Sequence, residues 1–182
     1  MKQVHAIINC GFSTILIKSI FFLFVVFAFN ACQIEDDDFS GITGSKAPGF
    51  VLTSTDGNQV SLFNYNNKVV VLFFLGTDSS CEAVVSDIEN VLVTPFVNRT
   101  NYIILGLDYF NGDMLSVKAF KTAAGLSFPL LLNAGNVATN YKTTYNRIVI
   151  IDQDQNIVFS GSQCASEDIN TVKQKLDLLL AK

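Results

Sequence analysis

Residues 68–81 read Lys68-Val69-Val70-Val71-Leu72-Phe73-Phe74-Leu75-Gly76-Thr77-Asp78-Ser79-Ser80-Cys81. From Val69 to Leu75 the run is continuously apolar, β-branched and aromatic, the pattern of a strand buried on both faces. Asp78, Ser79 and Ser80 then offer side-chain oxygens that cap a helix N-terminus. Val84, Val85, Ile88, Val91 and Leu92 form the apolar stripe of that helix, and Pro95 stands near its end. Cys81 therefore falls where a buried strand turns into a helix. Unpaired N–H groups and positive potential there stabilise a thiolate. Asp78 and Glu82 bring negative charge close by and work against it.

Outward from this junction, strand and helix patterns alternate. On the N-terminal side, Phe50–Thr53 and Gln59–Leu62 flank the turn signal Asp56-Gly57-Asn58, which predicts a short hairpin. On the C-terminal side, Tyr102–Leu107 is a second buried strand closed by Asp108. Met114–Ala124 is predicted as a helix with Leu115, Val117 and Phe120 inward and Gly125 as its cap. Phe128–Leu132 is predicted as extended and Val137–Tyr141 as one helical turn. Ile148–Ile151 and Ile157–Phe159 form a closing hairpin across Asp152–Asn156. The last helix starts at Ser166, with Ile169, Val172, Leu176 and Leu179 inward and Glu167 and Asp168 in its first turn. This order predicts an α/β domain with a mixed sheet and helices on both faces.

The mean hydropathy of +0.38 is high for a chain of 182 residues, and the excess lies at the N-terminus. Lys2 and Lys18 precede the unbroken apolar run Ile20–Phe29, whose ten residues suit a signal-peptide core better than a membrane span. Phe29-Asn30-Ala31-Cys32 resembles the lipobox of bacterial lipoproteins, which implies cleavage before Cys32 and lipidation of that cysteine. The acids Glu35-Asp36-Asp37-Asp38 follow, resembling the surface-export signal of Bacteroidetes lipoproteins; a solvated tether is the alternative. The expected organisation is a signal peptide over residues 1–31, a lipid tether and acidic linker over 32–47, and one folded domain over 48–182. Both readings of the acidic run place that domain outside the cytoplasm, anchored to the cell envelope.

The chain has 16 acids, 12 bases, one histidine and no tryptophan. Loss of the signal peptide removes His5 and two lysines, leaving a net charge of −6 and no imidazole. Ser-His-Asp and Cys-His arrangements and histidine-built zinc sites then have no parts to use. The remaining bases are scattered singly, so no nucleic-acid footprint is expected. Gly41–Lys46 has the wrong spacing for a phosphate loop. No cofactor and no metal are expected. Cysteine is what remains for covalent chemistry.

The ordered landmarks Ala47-Pro48-Gly49-Phe50, Asp56-Gly57, Lys68–Phe74, Phe128-Pro129-Leu130-Leu131 and Ile150-Ile151-Asp152 resemble the thioredoxin fold, specifically the branch of peroxiredoxins and TlpA-like thiol reductants. The likeness covers Gly44 to Leu180. It implies that Cys81 is the reactive cysteine. The sequence also departs from that branch. Asp78 stands where TlpA-like proteins carry the first cysteine of a CxxC pair and where peroxiredoxins carry a threonine, with Thr77 adjacent. Asn146 falls near the usual cis-proline, and Arg147, one position out of register, stands near the peroxiredoxin arginine that holds the thiolate.

In this fold the final hairpin returns the chain, which implies that Cys164 faces the same end as Cys81. Three readings of the pair remain open: catalysis with Cys164 as resolving cysteine, a permanent staple in a domain without activity, and two simply buried thiols. The leading expectation is a membrane-anchored, extracytoplasmic oxidoreductase reducing peroxides or exchanging protein disulfides, with Cys81, Cys164, Arg147 and Thr77 as site residues. The alternative is a degenerate thioredoxin-fold lipoprotein serving as a binding or envelope module.

Overall fold

The structure is a computed structural model that describes residues 42–76 and 82–181. The signal-peptide region, Cys32, the acidic run, Thr77 and Cys81 lie outside the described residues. Strands β1 (Val51–Thr53) and β2 (Gln59–Ser61) form the expected hairpin, turned at Gly57 with φ +83°. A five-stranded sheet contains β3 (Val69–Leu75), β4 (Tyr102–Asp108), β5 (Leu130–Leu131), β6 (Arg147–Ile151) and β7 (Ile157–Ser160). Their spatial order is β5-β4-β3-β6-β7; β3 runs parallel to β4 and antiparallel to β6. The continuous apolar run thus forms the central strand, and all seven of its residues are buried.

Its alternating side chains divide the core into two layers. Val69, Val71, Phe73 and Leu75 pack with α1 (Glu82–Ile88), α2 (Met114–Ala123) and α4 (Ala165–Leu180). Val70, Leu72 and Phe74 pack with α3 (Gly135–Asn140), Leu62 and Phe50. Close packing also fixes Gly106 of β4. A Cβ there would come within 2.3 Å of Leu130 Cδ2 and 2.9 Å of Leu75 Cδ2.

Several expectations shift in register. Leu115 was expected inward but is 80% exposed. Asp113 caps α2 by accepting from the amides of Leu115 and Ser116, which sets the helix phase. Val117 and Phe120 then face the core, and Leu115, two residues from Val117, points away. At the end of α4, Leu180 is buried and Leu179 only packs partly against the core. The helix of Cys81's flank does not run regularly to Pro95. After Ile88 it widens into a π-helical turn over Glu89–Val93, then tightens into a 3₁₀ turn over Thr94–Phe96. Pro95 has no N–H to donate to the carbonyl four residues back, and the irregular turns precede it. The turn expected over Val137–Tyr141 is α3, which starts two residues earlier.

Residues Ile42–Ala47, the end of the stretch expected as a linker, lie along β7. Gly44 donates to the Ile157 carbonyl, and Ile157 donates to the Ser45 carbonyl. Ile42 is buried in the second core layer. Among the described residues, no helix is long and apolar enough to cross a membrane.

Candidate functional site

The carboxyl end of β3 collects the described parts of the site. β6 runs antiparallel to β3, so its first residue, Arg147, lies opposite Phe74. The amide of Asn146 donates to the Phe74 carbonyl at 2.6 Å. The Asn146 carbonyl in turn accepts from the Ala165 amide at 3.0 Å and from Arg147 Nη1 at 3.2 Å. Ala165 is the first residue of α4, and Cys164 is its N-cap. Two backbone hydrogen bonds thus join the end of β3 to the residue beside Cys164. Cys164 is a free thiol and exposed. Its carbonyl accepts from the amides of Glu167 and Asp168, closing the first turn of α4.

The peptide bonds are trans throughout the described residues, and Asn146 takes φ +56°. Asparagine is among the few non-glycine residues that adopt this left-handed conformation readily. Near the position where the resemblance implies a cis-proline, the chain therefore has a trans, left-handed asparagine that keeps its N–H and uses it.

Two carboxylates stand at this end. Asp108, the last residue of β4, lies beside Leu75 in register and is 1% exposed. Its Oδ2 accepts from the Gly112 amide at 2.6 Å, and Oδ1 has no partner among the described residues. Burial raises its pKa, and the amides of Gly112 and Phe110 oppose the rise. Asp168, in the first turns of α4, also has its pKa raised by burial. The Gln163 amide and the Arg147 guanidinium oppose that rise, and Glu167 adds to it. Arg147 is thus directed at the Asn146 carbonyl and the field of Asp168.

Beside Asn146, Tyr145 packs against Tyr109 and Phe110 with ring centroids 5.9 and 5.1 Å away. Phe110 is 53% and Tyr145 43% exposed, so two of the three rings form an open apolar rim. Of the sequence-predicted site residues, Cys164 and Arg147 come together at this end, whereas Thr77 and Cys81 lie outside the described residues. In sequence Asp108 reads as a strand terminator, Asp168 as a helix-dipole residue, and Tyr109, Phe110 and Tyr145 as core or rim aromatics; the structure joins the three rings in one cluster. An acid closing an otherwise wholly apolar strand is the signal that singles out Asp108. Among the described residues no three acidic, cysteine or histidine side chains are grouped to hold a metal.

Solved structures with this architecture include a Bacteroides thetaiotaomicron protein provisionally named a protein disulfide isomerase. It is 26% identical, with a TM-score of 0.69 over 77% of this chain and 91% of that one. A Chlorobium tepidum protein provisionally named the thiol:disulfide interchange protein DsbE is 17% identical. Its TM-score is 0.67, over 76% of this chain and 97% of its own, a likeness of fold. In sequence, a Mycobacterium tuberculosis protein provisionally named a peroxiredoxin is 33% identical over 90 residues, or 48% of this chain. The match covers 55% of that relative, so the chain spans about half the length of the curated relatives it matches. Residues 43–160, which include every described strand, match the AhpC/TSA family, and the chain belongs to that family.

Proposed function

We propose that this chain is an extracytoplasmic thiol oxidoreductase, tethered to the cell envelope through lipidated Cys32, with Cys81 as nucleophile and Cys164 as resolving cysteine. The observation that carries the reading is the Phe74–Asn146–Ala165 hydrogen-bond relay. It sets the exposed Cys164 at the carboxyl end of β3, and Cys81 follows six residues after that strand in the sequence. Membership of the AhpC/TSA family, with a relative provisionally named a peroxiredoxin, supports sulfur chemistry.

In the favoured reaction the Cys81 thiolate attacks one oxygen of a hydroperoxide. The O–O bond breaks, an alcohol or water leaves after protonation, and Cys81 becomes a sulfenic acid. The Cys164 thiol then attacks that sulfur, releasing water and forming a disulfide, which an external dithiol reduces. Without a CxxC pair, peroxide reduction is favoured over dithiol exchange with a protein disulfide. Thr77 and Arg147 are the remaining proposed site residues, with Arg147 holding negative charge at the sulfur or oxygen.

A second reading, a binding or envelope module without turnover, is favoured by the acids at this end of the sheet. Asp108 and Asp168 disfavour a thiolate, and no imidazole among the described residues offsets them. The two readings separate on peroxide consumption with a dithiol reductant. Turnover that disappears in Cys81→Ser, and a disulfide intermediate that disappears in Cys164→Ser, is the expected result. Absence of turnover, with a Cys81 alkylation pKa above about 8.5, the value of an unactivated thiol, would establish the module instead.

A further inference from the structure

At the opposite end of the sheet, β5 pairs with β4 only at Gly106 and Leu107. The first half of β4, from Tyr102 to Leu105, therefore has no strand on its outer side. Pro129, whose carbonyl accepts from the Gly106 amide, has no N–H with which to extend the ladder. A recess of about 190 Å³ opens against this bare stretch, walled by Val93, Phe96, Tyr102, Phe128 and Pro129, with Arg99 at its rim. An engineered apolar cavity of about 150 Å³ admits benzene, so a single ring or a short branched alkyl group fits.

Two features distinguish the recess from a packing fault. Val93 ends the π-helical turn, a geometry often found at functional sites, and the Tyr102 hydroxyl donates to the Leu92 carbonyl of that turn at 2.8 Å, which fixes it against the start of β4. The charges around it are also sorted. Glu89 is occupied by Ser127, which donates to it from both its amide and its hydroxyl. Lys173, over the Phe96 ring, is paired with Asp177 at 2.7 Å. Arg99 makes no ion pair among the described residues, in a chain whose net charge is −4.

We propose that this recess binds a small apolar monocarboxylate, its ring or branched alkyl group between Phe96 and Phe128 and its carboxylate on Arg99. The Arg99 guanidinium, without an ion pair among the described residues, argues for an anion, and the apolar walls argue for an apolar body behind the charge. The site lies at the far end of the sheet from Cys164, so its failure leaves the thiol chemistry untouched.

The test uses the full chain in lipid nanodiscs, with empty nanodiscs as blank and 4-fluorophenylacetate as the probe followed by ¹⁹F NMR. The expected result is saturable binding that weakens about fivefold in Arg99→Gln and less in Arg99→Lys, the effect of one exposed charge. The neutral 4-fluorophenylacetamide is expected to bind about fivefold more weakly than the acid. No saturation up to about 10 mM, equal binding of acid and amide, or unchanged binding in Arg99→Gln would each overturn the proposal. Arg99 is exposed, and an unfolding curve of Arg99→Gln that matches the parent's excludes loss of folding as the cause.

Discussion

The Asn146 amide hydrogen-bonds the Phe74 carbonyl at 2.6 Å from a left-handed backbone at φ +56°. This bond ties the loop before β6 to the end of the central strand. The Asn146 carbonyl extends the tie to α4 and its N-cap, Cys164. A proline at this position is therefore expected to destabilise the fold. Asn146→Pro removes the N–H and demands φ near −65°, with an expected loss of about 3 kcal/mol by urea unfolding. Asn146→Gly keeps both and is expected to stay within about 0.5 kcal/mol of the parent, because the side-chain Oδ1 has no partner to lose. Equal losses in both variants would show that the side chain, not the backbone, makes the tie.

Asp108 gives a pH signature with a definite sign. Burial raises its folded pKa above the ordinary 3.8, so the folded state holds the proton more tightly than the unfolded chain. Its contribution to stability is greatest below the unfolded value and falls as pH rises from about 3.8 through the folded pKa. Asp108→Asn is expected to flatten that fall. Unfolding free energies of parent and variant from about pH 3.5 to pH 7 test it: their difference should move steadily in the variant's favour as pH rises. A constant difference across that range would mean that Oδ1 is satisfied and that Asp108 does not contribute to the pH dependence.

How much of this was legible in the sequence depends on whether a feature is local. Val69–Leu75 announced a doubly buried strand by composition alone, and the two hairpins announced themselves through Asp56-Gly57-Asn58 and the 152–156 turn. Leu115 was misplaced because helix phase is set by the cap, Asp113, and not by the apolar residues themselves. The π turn after Ile88 was not legible, since no residue in Glu89–Val93 demands it and the constraint comes from Pro95 downstream. At the site, Cys164 reached its end of the sheet as strand topology required. The tie through Asn146 was hidden, because it depends on one residue's backbone conformation. Asp108 and Tyr145 showed their roles only once β4 and β6 were placed on either side of β3.

The anchor is tested apart from the fold. Metabolic labelling with palmitate is expected to mark the parent chain and to fail for Cys32→Ser, while Cys10→Ser keeps the label. Label retained in Cys32→Ser would remove the lipoprotein proposal and leave the Ile20–Phe29 run to be explained as a conventional leader or an uncleaved anchor.

Gly106 tests the close approach of β5 to β4. A methyl group there would meet Leu130 Cδ2 at 2.3 Å and the side chains of Leu75 and Phe128 at 2.9 Å, distances that no real Cβ tolerates. Leu130 is one end of the β4–β5 ladder, and Leu75 is the last residue of the central strand. Relief by moving Leu130 would pull β5 away from β4, and relief through Leu75 would disturb the strand that leads to Cys81. Gly106→Ala is expected to lower stability by about 1–3 kcal/mol in urea unfolding, the usual effect of overpacking a filled core. The accompanying readout is the alkylation rate of Cys164. Because Cys164 is held through Asn146 and Phe74 and not through β5, that rate is expected to change little. A large change would mean that strain at the β4–β5 edge reaches the thiol end through β3.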